Sequence, residues 1–259
     1  FPPENPRFPA TPTYQINVPG FSNVWLKDES INKYSGTHKD RLAWEVVLLY
    51  RNFLIAKKYG QLEGTLPIFS IISSGSAALA IGRMLHLYHL PKLKVLVDEH
   101  MNPALHKVIE NSHCEIFQVD LSKKALNPKE ILALTKNKQG FDLTSNQGIG
   151  VEIGNYDWMS FEILNQSPEY VFIPFGTGTL YKKILEVTKN VVRSSAHDKR
   201  YQGDIKTLPG CHFMGATTID SHSVADKLYS PFLPFADVGR DWIRFYKTAG
   251  YCGDQTGIQ

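Results

Sequence analysis

The sequence predicts an α/β fold of two lobes, with mainly parallel, twisted sheets covered by helices on both faces. Short apolar runs rich in β-branched residues alternate with segments of helical periodicity from Pro67 to Leu228, the pattern of strand–helix–strand units. The turns that leave several of these runs are rich in glycine, serine and threonine. The length of 259 residues also reaches the limit of about 250–300 residues for a single hydrophobic core, which favours two packed lobes.

Taken in order, Pro2, Pro3, Pro6, Pro9 and Pro12 make the chain to about Thr13 an extended arm. Asn23 to Lys27 (NVWLK) reads as a short strand, and Asp28 to Thr37 as a polar loop closed by Ser35-Gly36. Between Asp40 and Tyr59, Leu42, Ala43, Val46, Val47, Tyr50, Phe53 and Leu54 recur at helical spacing, and Gly60 ends the run. Strands are expected at 67–72, 94–97, 115–119, 170–174 and 212–216, and helices at 77–89, 103–111, 127–136, 158–165, 180–192 and, briefly, 224–228. The stretch between residues 136 and 158 is irregular, and residues 229–259 show no period.

Charge and composition exclude several classes of function. The 28 basic and 25 acidic residues leave a net charge of +3 scattered along the chain, so no nucleic-acid footprint forms. No apolar run reaches the ~20 residues of a membrane-spanning helix. The start, FPPENPRFPATP, lacks a charged segment followed by an apolar one, and no signal peptide is expected. Cys114, Cys211 and Cys252 show no CxxC spacing and are odd in number, which points to core thiols in a reducing, cytoplasmic compartment. The histidines show no HxxxH or Cys/His clustering, so no metal site is expected.

Two turns suit the close approach of an anion. Ser73-Ser74-Gly75-Ser76 lies between the strand PIFSII and its helix, and Gly176-Thr177-Gly178-Thr179 between YVFIPF and LYKKILEV. Glycine lets the backbone approach a ligand, and the open N–H groups at a helix start favour negative charge. Taken singly, each turn is equally well explained by packing. Tyr181 stands where a GxGxxG dinucleotide fingerprint needs its third glycine, and neither turn matches GxxxxGK[ST], so a nucleotide-binding protein is a poor reading. A third element, Ser35-Gly36-Thr37-His38-Lys39-Asp40-Arg41, runs from a glycine turn into the first helix. An isolated lysine there is ordinarily a solvated charge, and a Schiff-base role needs desolvation or a neighbouring cation to lower its pKa. His38 is placed to touch a phosphate, to act on Lys39 or to shape the turn. Asp40-Arg41 reads as a helix-start and interdomain ion pair, and Lys182-Lys183 as a solvated helix face.

In order and spacing these three segments resemble the fold-type II family of pyridoxal-phosphate enzymes, which includes cysteine synthase, threonine synthase, the serine and threonine dehydratases and the tryptophan synthase β chain. TPTYQINVPGFSNVWLKDESINKYSGTHKDRLA is similar to the family's N-terminal signature, in which a loop ending G-S-x-K-D-R carries the cofactor lysine; the matching residue is Lys39. SSGSAALAI resembles the S-G-N substrate loop, and EYVFIPFGTGTLYKKI, preceded by NYDWMSFEIL, the strand and glycine loop that hold the cofactor phosphate. The resemblance runs from about Thr11 to Leu228. It implies residues 36–150 as a smaller lobe, residues 1–35 and 151–259 as a larger one, and pyridoxal 5'-phosphate in the cleft between them. It also implies that Lys39 forms the internal aldimine and, once displaced by the substrate, acts as general base at Cα. Gly176, Thr177, Gly178 and Thr179 would hold the phosphate, Ser73, Ser74, Gly75, Ser76 and Ala77 the substrate carboxylate, and Asn146-Gln147 would sit in the loop that gates the pocket.

Two departures stand out. Ser76 replaces the asparagine whose amide bonds the cofactor's ring hydroxyl in cysteine synthase relatives, and the residue that faces the pyridine nitrogen finds only Cys252 as a candidate. The reading that follows is β-replacement or β-elimination on a small amino acid by a homodimer similar to cysteine synthase. Its rivals are a threonine synthase or an amino-acid ammonia-lyase, and a cofactor-binding or interaction protein that has lost turnover.

Overall fold

The computed structural model describes residues 5, 7–144, 156–176, 178–197, 211–218 and 228. The chain divides into two compact units, 1–155 and 156–259. Residues 1–35, which the resemblance groups with 151–259, belong to the first unit.

The first unit opens on an antiparallel hairpin, β1 (Thr13–Val18) and β2 (Phe21–Lys27), with Thr13 opposite Lys27. The sequence reading foresaw β2 and took the residues before it as an arm or left them unassigned. Neither strand of this small hairpin is buried along its length, so no apolar alternation marks it. Helix α1 (Lys39–Lys58) follows, then a sheet of parallel strands in the order β5-β4-β3-β6. Its strands are β3 (Phe69–Ile72), β4 (Leu93–Asp98), β5 (Cys114–Val119) and the two-residue β6 (Phe141–Asp142). Helices α2 (Ser76–Leu87), α3 (Pro103–Glu110) and α4 (Pro128–Leu134) connect them. Most residues of β3 and β4 are buried, as befits strands covered on both faces. β6 lies in the stretch read as irregular, since two residues carry no periodicity.

Local chemistry sets several boundaries. Asn127 closes a capping box with Glu130, and Pro128 stands at the first position of α4, which starts that helix where the sequence expected. Gly82, inside α2, lets the helix lie on the 112–114 turn: a Cβ there would meet the Ser112 carbonyl oxygen at 2.0 Å and Cys114 Sγ at 2.6 Å. The core beside α1 is aromatic, with Tyr50 and Phe69 centroids 4.7 Å apart and Phe53 stacked on Phe141 at 6.3 Å. Under β3, Ser70 Oγ lies 2.7 Å from Thr135 Oγ1 and accepts from Asn137 Nδ2, so the buried hydroxyls are paired.

The second unit contains α5 (Asp157–Leu164), β7 (Tyr170–Pro174), α6 (Thr179–His197) and β8 (His212–Ala216), with β7 and β8 paired in parallel. Tyr181 is fully buried and its hydroxyl donates to the Phe213 carbonyl, so a phenol packs at the place of the fingerprint glycine. The short helix expected at 224–228 falls outside the described residues except for Leu228. Burial pushes the thiols of Cys114 and Cys211 up to about 12, in keeping with core thiols. Among the described residues no helix is long and apolar enough to cross a membrane.

The hairpin is tied to α1 by one charged clamp. The fully buried Arg41 donates from Nε to Glu29 Oε2 and from Nη2 to Glu29 Oε1, both at 2.8 Å, and Nη2 also reaches Thr11 Oγ1. The Phe8 ring lies against the same guanidinium at 5.2 Å. Arg41 thus pairs with Glu29 within the first unit, while Asp40 turns back to the Tyr34 and Ser35 amides. Burial works to raise the Glu29 pKa, but the hydrogen bonds from Arg41, Thr11 and Asn32 and the Arg41 charge outweigh it and leave the carboxyl below its ordinary 4.5. A folded-state value below the unfolded one means stability that is complete above pH 4.5 and lost as the pH falls through the folded value. Glu29→Gln should cost roughly 1.5–3 kcal/mol at pH 7. Urea unfolding at pH 7 and pH 3 should show the gap to wild type narrowing in acid.

Candidate functional site

Lys39 is the first residue of α1, and the turn before it is held by side chains on both sides. Gly36 adopts φ +65°, a left-handed conformation that suits glycine, and its N–H donates to the Asn32 carbonyl. Asn32 Nδ2 donates to the Thr37 carbonyl at 3.0 Å and to Glu29 at 2.9 Å. Thr37 Oγ1 accepts from the Lys39 N–H at 3.1 Å and lies 2.9 Å from Ser35 Oγ. Asp40, fully buried, accepts from the N–H groups of Tyr34 at 2.7 Å and Ser35 at 2.8 Å, and from Ser35 Oγ at 2.5 Å. The acid that follows the lysine therefore fastens the backbone that precedes it. Such charge-assisted bonds are about twice as strong as neutral ones.

His38 is the N-cap of α1 in a right-handed conformation, without a side-chain cap. Burial of its ring, aided by the nearby Lys39 and Arg41 charges against the opposing pull of Glu29, holds its pKa down to about 3. The imidazole is thus neutral at physiological pH and adds no charge next to Lys39.

The second sequence-predicted loop, Ser73 to Ala77, opens α2, and α1 packs along α2 in the same unit. Gly75 has φ +144°, a value side chains rarely adopt. Ser73 is buried, and its Oγ accepts from the N–H groups of Gly75 and Ala78, both at 3.1 Å. The N–H groups of Ser76 and Ala77 make no hydrogen bond to the described residues, as expected at a helix start. Ser74 is exposed and Ser76 half-buried. The loop thus presents hydroxyls and open amides over a base closed by Ser73.

The third loop lies in the second unit. Gly176 is half-buried; Gly178 is buried with φ +85° and accepts from the Lys182 N–H at 2.9 Å. Thr179 is the first residue of α6, whose 19 residues give it a full helix dipole. Lys182 and Lys183 pair with Glu186 at 3.3 Å and 3.1 Å. Thr177, Asn146, Gln147 and Cys252 lie outside the described residues.

The residues that steady the Lys39 turn were not legible as a group. Thr11, Glu29, Asn32 and Arg83 are scattered through the sequence and share no motif. Arg83, on α2, donates from Nη1 to the Tyr34 carbonyl. On the surface, Glu99, His100 and Asp120 place ligand atoms within 4.8 Å of one another, a geometry the histidine spacing did not suggest. Asp120 already takes bonds from Ser122 and lies 3.2 Å from Lys123.

Solved structures with this fold include O-ureido-L-serine synthase, at 17% identity over 86% of this chain and 65% of that one, TM-score 0.54. A hydrogen sulfide-producing enzyme from Fusobacterium nucleatum aligns at 19% identity over 85% of this chain and 68% of that one, TM-score 0.52. Diaminopropionate ammonia lyase from Escherichia coli aligns at 14% identity over 74% of this chain and 50% of that one, TM-score 0.50. The chain therefore spans half to two-thirds of the length of these proteins. No curated protein sequence matches it. The family described as pyridoxal-phosphate dependent enzyme matches residues 8–207, most of the sequence, and the chain belongs to that family, with the fold-type II architecture and pyridoxal 5'-phosphate as its cofactor.

Proposed function

We propose that the chain acts on a small amino acid by β-replacement or β-elimination, with Lys39 holding the cofactor and then serving as the base at Cα. The observation that carries this reading is the Lys39 turn, fixed from one side by the buried Asp40 carboxylate and from the other by Asn32 and Thr37. A general base has to be held in one geometry to act, and this turn supplies that.

The residues present fit the cofactor. A primary amine stands on a braced turn, and a glycine turn, left-handed at Gly178, leads into a long helix whose first amides suit a phosphate. When bound, the cofactor supplies an electron sink for charge developing at Cα. In this reading the Lys39 amine anchors the cofactor aldehyde and, once released, takes the Cα proton and later returns a proton. Gly176, Thr177, Gly178 and Thr179 hold the phosphate. Ser74, Gly75, Ser76 and Ala77 receive the substrate carboxylate, and Ser73 completes that set by fixing the loop. A homodimer in the cytoplasm is part of the same reading.

Two of the solved structures named above, a synthase and a hydrogen sulfide-producing enzyme, support replacement or elimination at Cβ. The ammonia lyase match supports the elimination branch as a second reading. A visible absorption spectrum of the purified protein tests the proposal. A cofactor band that shifts with serine or O-acetylserine is the expected result. A shift only with O-phosphohomoserine would indicate a threonine synthase, and a band that no amino acid moves would indicate a protein without turnover.

Ser76 offers a finer test. Ser76→Asn should bring an amide within reach of the cofactor's ring hydroxyl, and a hydrogen bond to a charged group contributes about 1.5–3 kcal/mol. The pH titration of the visible band should then shift between the two proteins. Superimposable titration curves would mean that residue 76 does not contact the ring.

A further inference from the structure

Arg83 lies on the exposed side of α2, seven residues beyond Ser76, yet its guanidinium Nη1 donates to the Tyr34 carbonyl. Tyr34 is also the residue whose N–H enters the Asp40 carboxylate. The peptide units around Tyr34 are thus gripped from α2 on one side and from α1 on the other, four residues before His38 and five before Lys39. The same α2 carries the Ser73–Ala77 loop at its N-terminus. Helices transmit displacement as rigid rods at about 1.5 Å per residue, so Arg83 sits roughly 10 Å along the rod from that loop.

We propose that Arg83 is a positioning residue that fixes the Lys39 turn relative to the start of α2. The inference rests on the functional reading above, in which Lys39 is the base and the start of α2 receives the carboxylate. Without the strap the Asp40 knot and the Asn32 bonds persist, but the Tyr34 carbonyl loses its tie to α2. The Lys39 amine then samples a wider range of positions relative to a carboxylate held at Ser74–Ala77. Arg83 touches neither cofactor nor substrate in this scheme; it acts through the Tyr34 carbonyl, an acceptor that no side-chain substitution removes. A guanidinium offers a planar fork of donors for such a carbonyl, which a lysine matches only in part.

The test compares wild type with Arg83→Ala and Arg83→Lys. Amide hydrogen exchange in the peptide spanning residues 33–41 should quicken by about tenfold in Arg83→Ala, with exchange in 73–82 unchanged. With O-acetylserine, kcat should fall about tenfold while KM stays within about twofold, given that a 1 Å misplacement costs ~100-fold in rate. Arg83→Lys should recover part of both effects, and all three proteins should melt at the same temperature. Unchanged exchange at 33–41 in Arg83→Ala would overturn the proposal. So would a general loss of melting temperature and cofactor content that Arg83→Lys fails to relieve, since that pattern marks a merely structural contact. The exchange measurement decides the strap without turnover. Failure of the functional reading would show separately, as wild-type protein in which borohydride fixes no cofactor to Lys39.

Discussion

Lys39→Ala should remove covalent cofactor attachment and all turnover while leaving the fold in place. The turn around residue 39 is held by Asp40, Asn32 and Thr37, whose bonds to the backbone do not use the Lys39 amine. Alanine is also the best helix former, and position 39 is the first of α1, so the local cost is small. Borohydride reduction of wild-type protein followed by peptide mapping should place the cofactor on the peptide containing Lys39. The alanine variant should show circular dichroism and melting close to wild type, no visible cofactor band after dialysis, and a rate lower by at least about 10⁴-fold, the upper end of what a positioned proton-transfer group supplies. Cofactor fixed by borohydride to another lysine of the variant would show that the anchor lies elsewhere.

A second large effect is expected at the 176–179 loop. Gly178 has φ +85°, where a β-branched residue is strained by about 1–2 kcal/mol or more; in the proposed reading a side chain in this loop would also crowd the phosphate off the backbone amides. Gly178→Val, and Gly176→Val to a similar degree, should weaken cofactor affinity by about 10–100-fold, the equivalent of one lost hydrogen bond to a charged group. Gly82→Val provides the contrast. Its Cβ would collide with the Ser112 backbone oxygen at 2.0 Å, so it should unfold the first unit at lower temperature by overpacking, roughly 1–3 kcal/mol or more. The folded fraction of that variant should bind cofactor normally. Fluorescence titration with cofactor, read beside thermal melts, distinguishes the cases. Equal loss of affinity at all three positions would mean that general unfolding, not phosphate contact, is being measured.

Much of this protein was legible in its sequence because the relevant signals are local. Strand β7 and strand β8 have the expected bounds, and the helices from α1 to α6 begin within about two residues of their expected starts, because apolar period and caps such as Asn127 act over one or two turns. The glycine turns at Gly36, Gly75 and Gly178 could also be read as turns, since glycine and small hydroxyl residues constrain the backbone wherever they occur. The hairpin strand β1 and the two-residue β6 escaped because each is defined by its partner, Lys27 opposite Thr13 and Ser70 opposite Asp142, rather than by a pattern of its own.

The bracing of Lys39 belonged to the tertiary structure alone. The sequence places Asp40 and Arg41 side by side and suggests a pair. Folding sends Asp40 back to the amides of Tyr34 and Ser35 and sends Arg41 across to Glu29 and Thr11. The Arg41 partners are distant in sequence and those of Asp40 lie in the preceding turn, and burial, which makes an unpaired charge costly, decides which of the available oxygens and amides each one meets. What the sequence by itself determined was where the helices start and that Lys39 follows a glycine turn, because caps, glycines and apolar period act within a few residues. What the fold decided was how firmly that lysine is held, because rigidity arises from contacts between segments that only packing brings together.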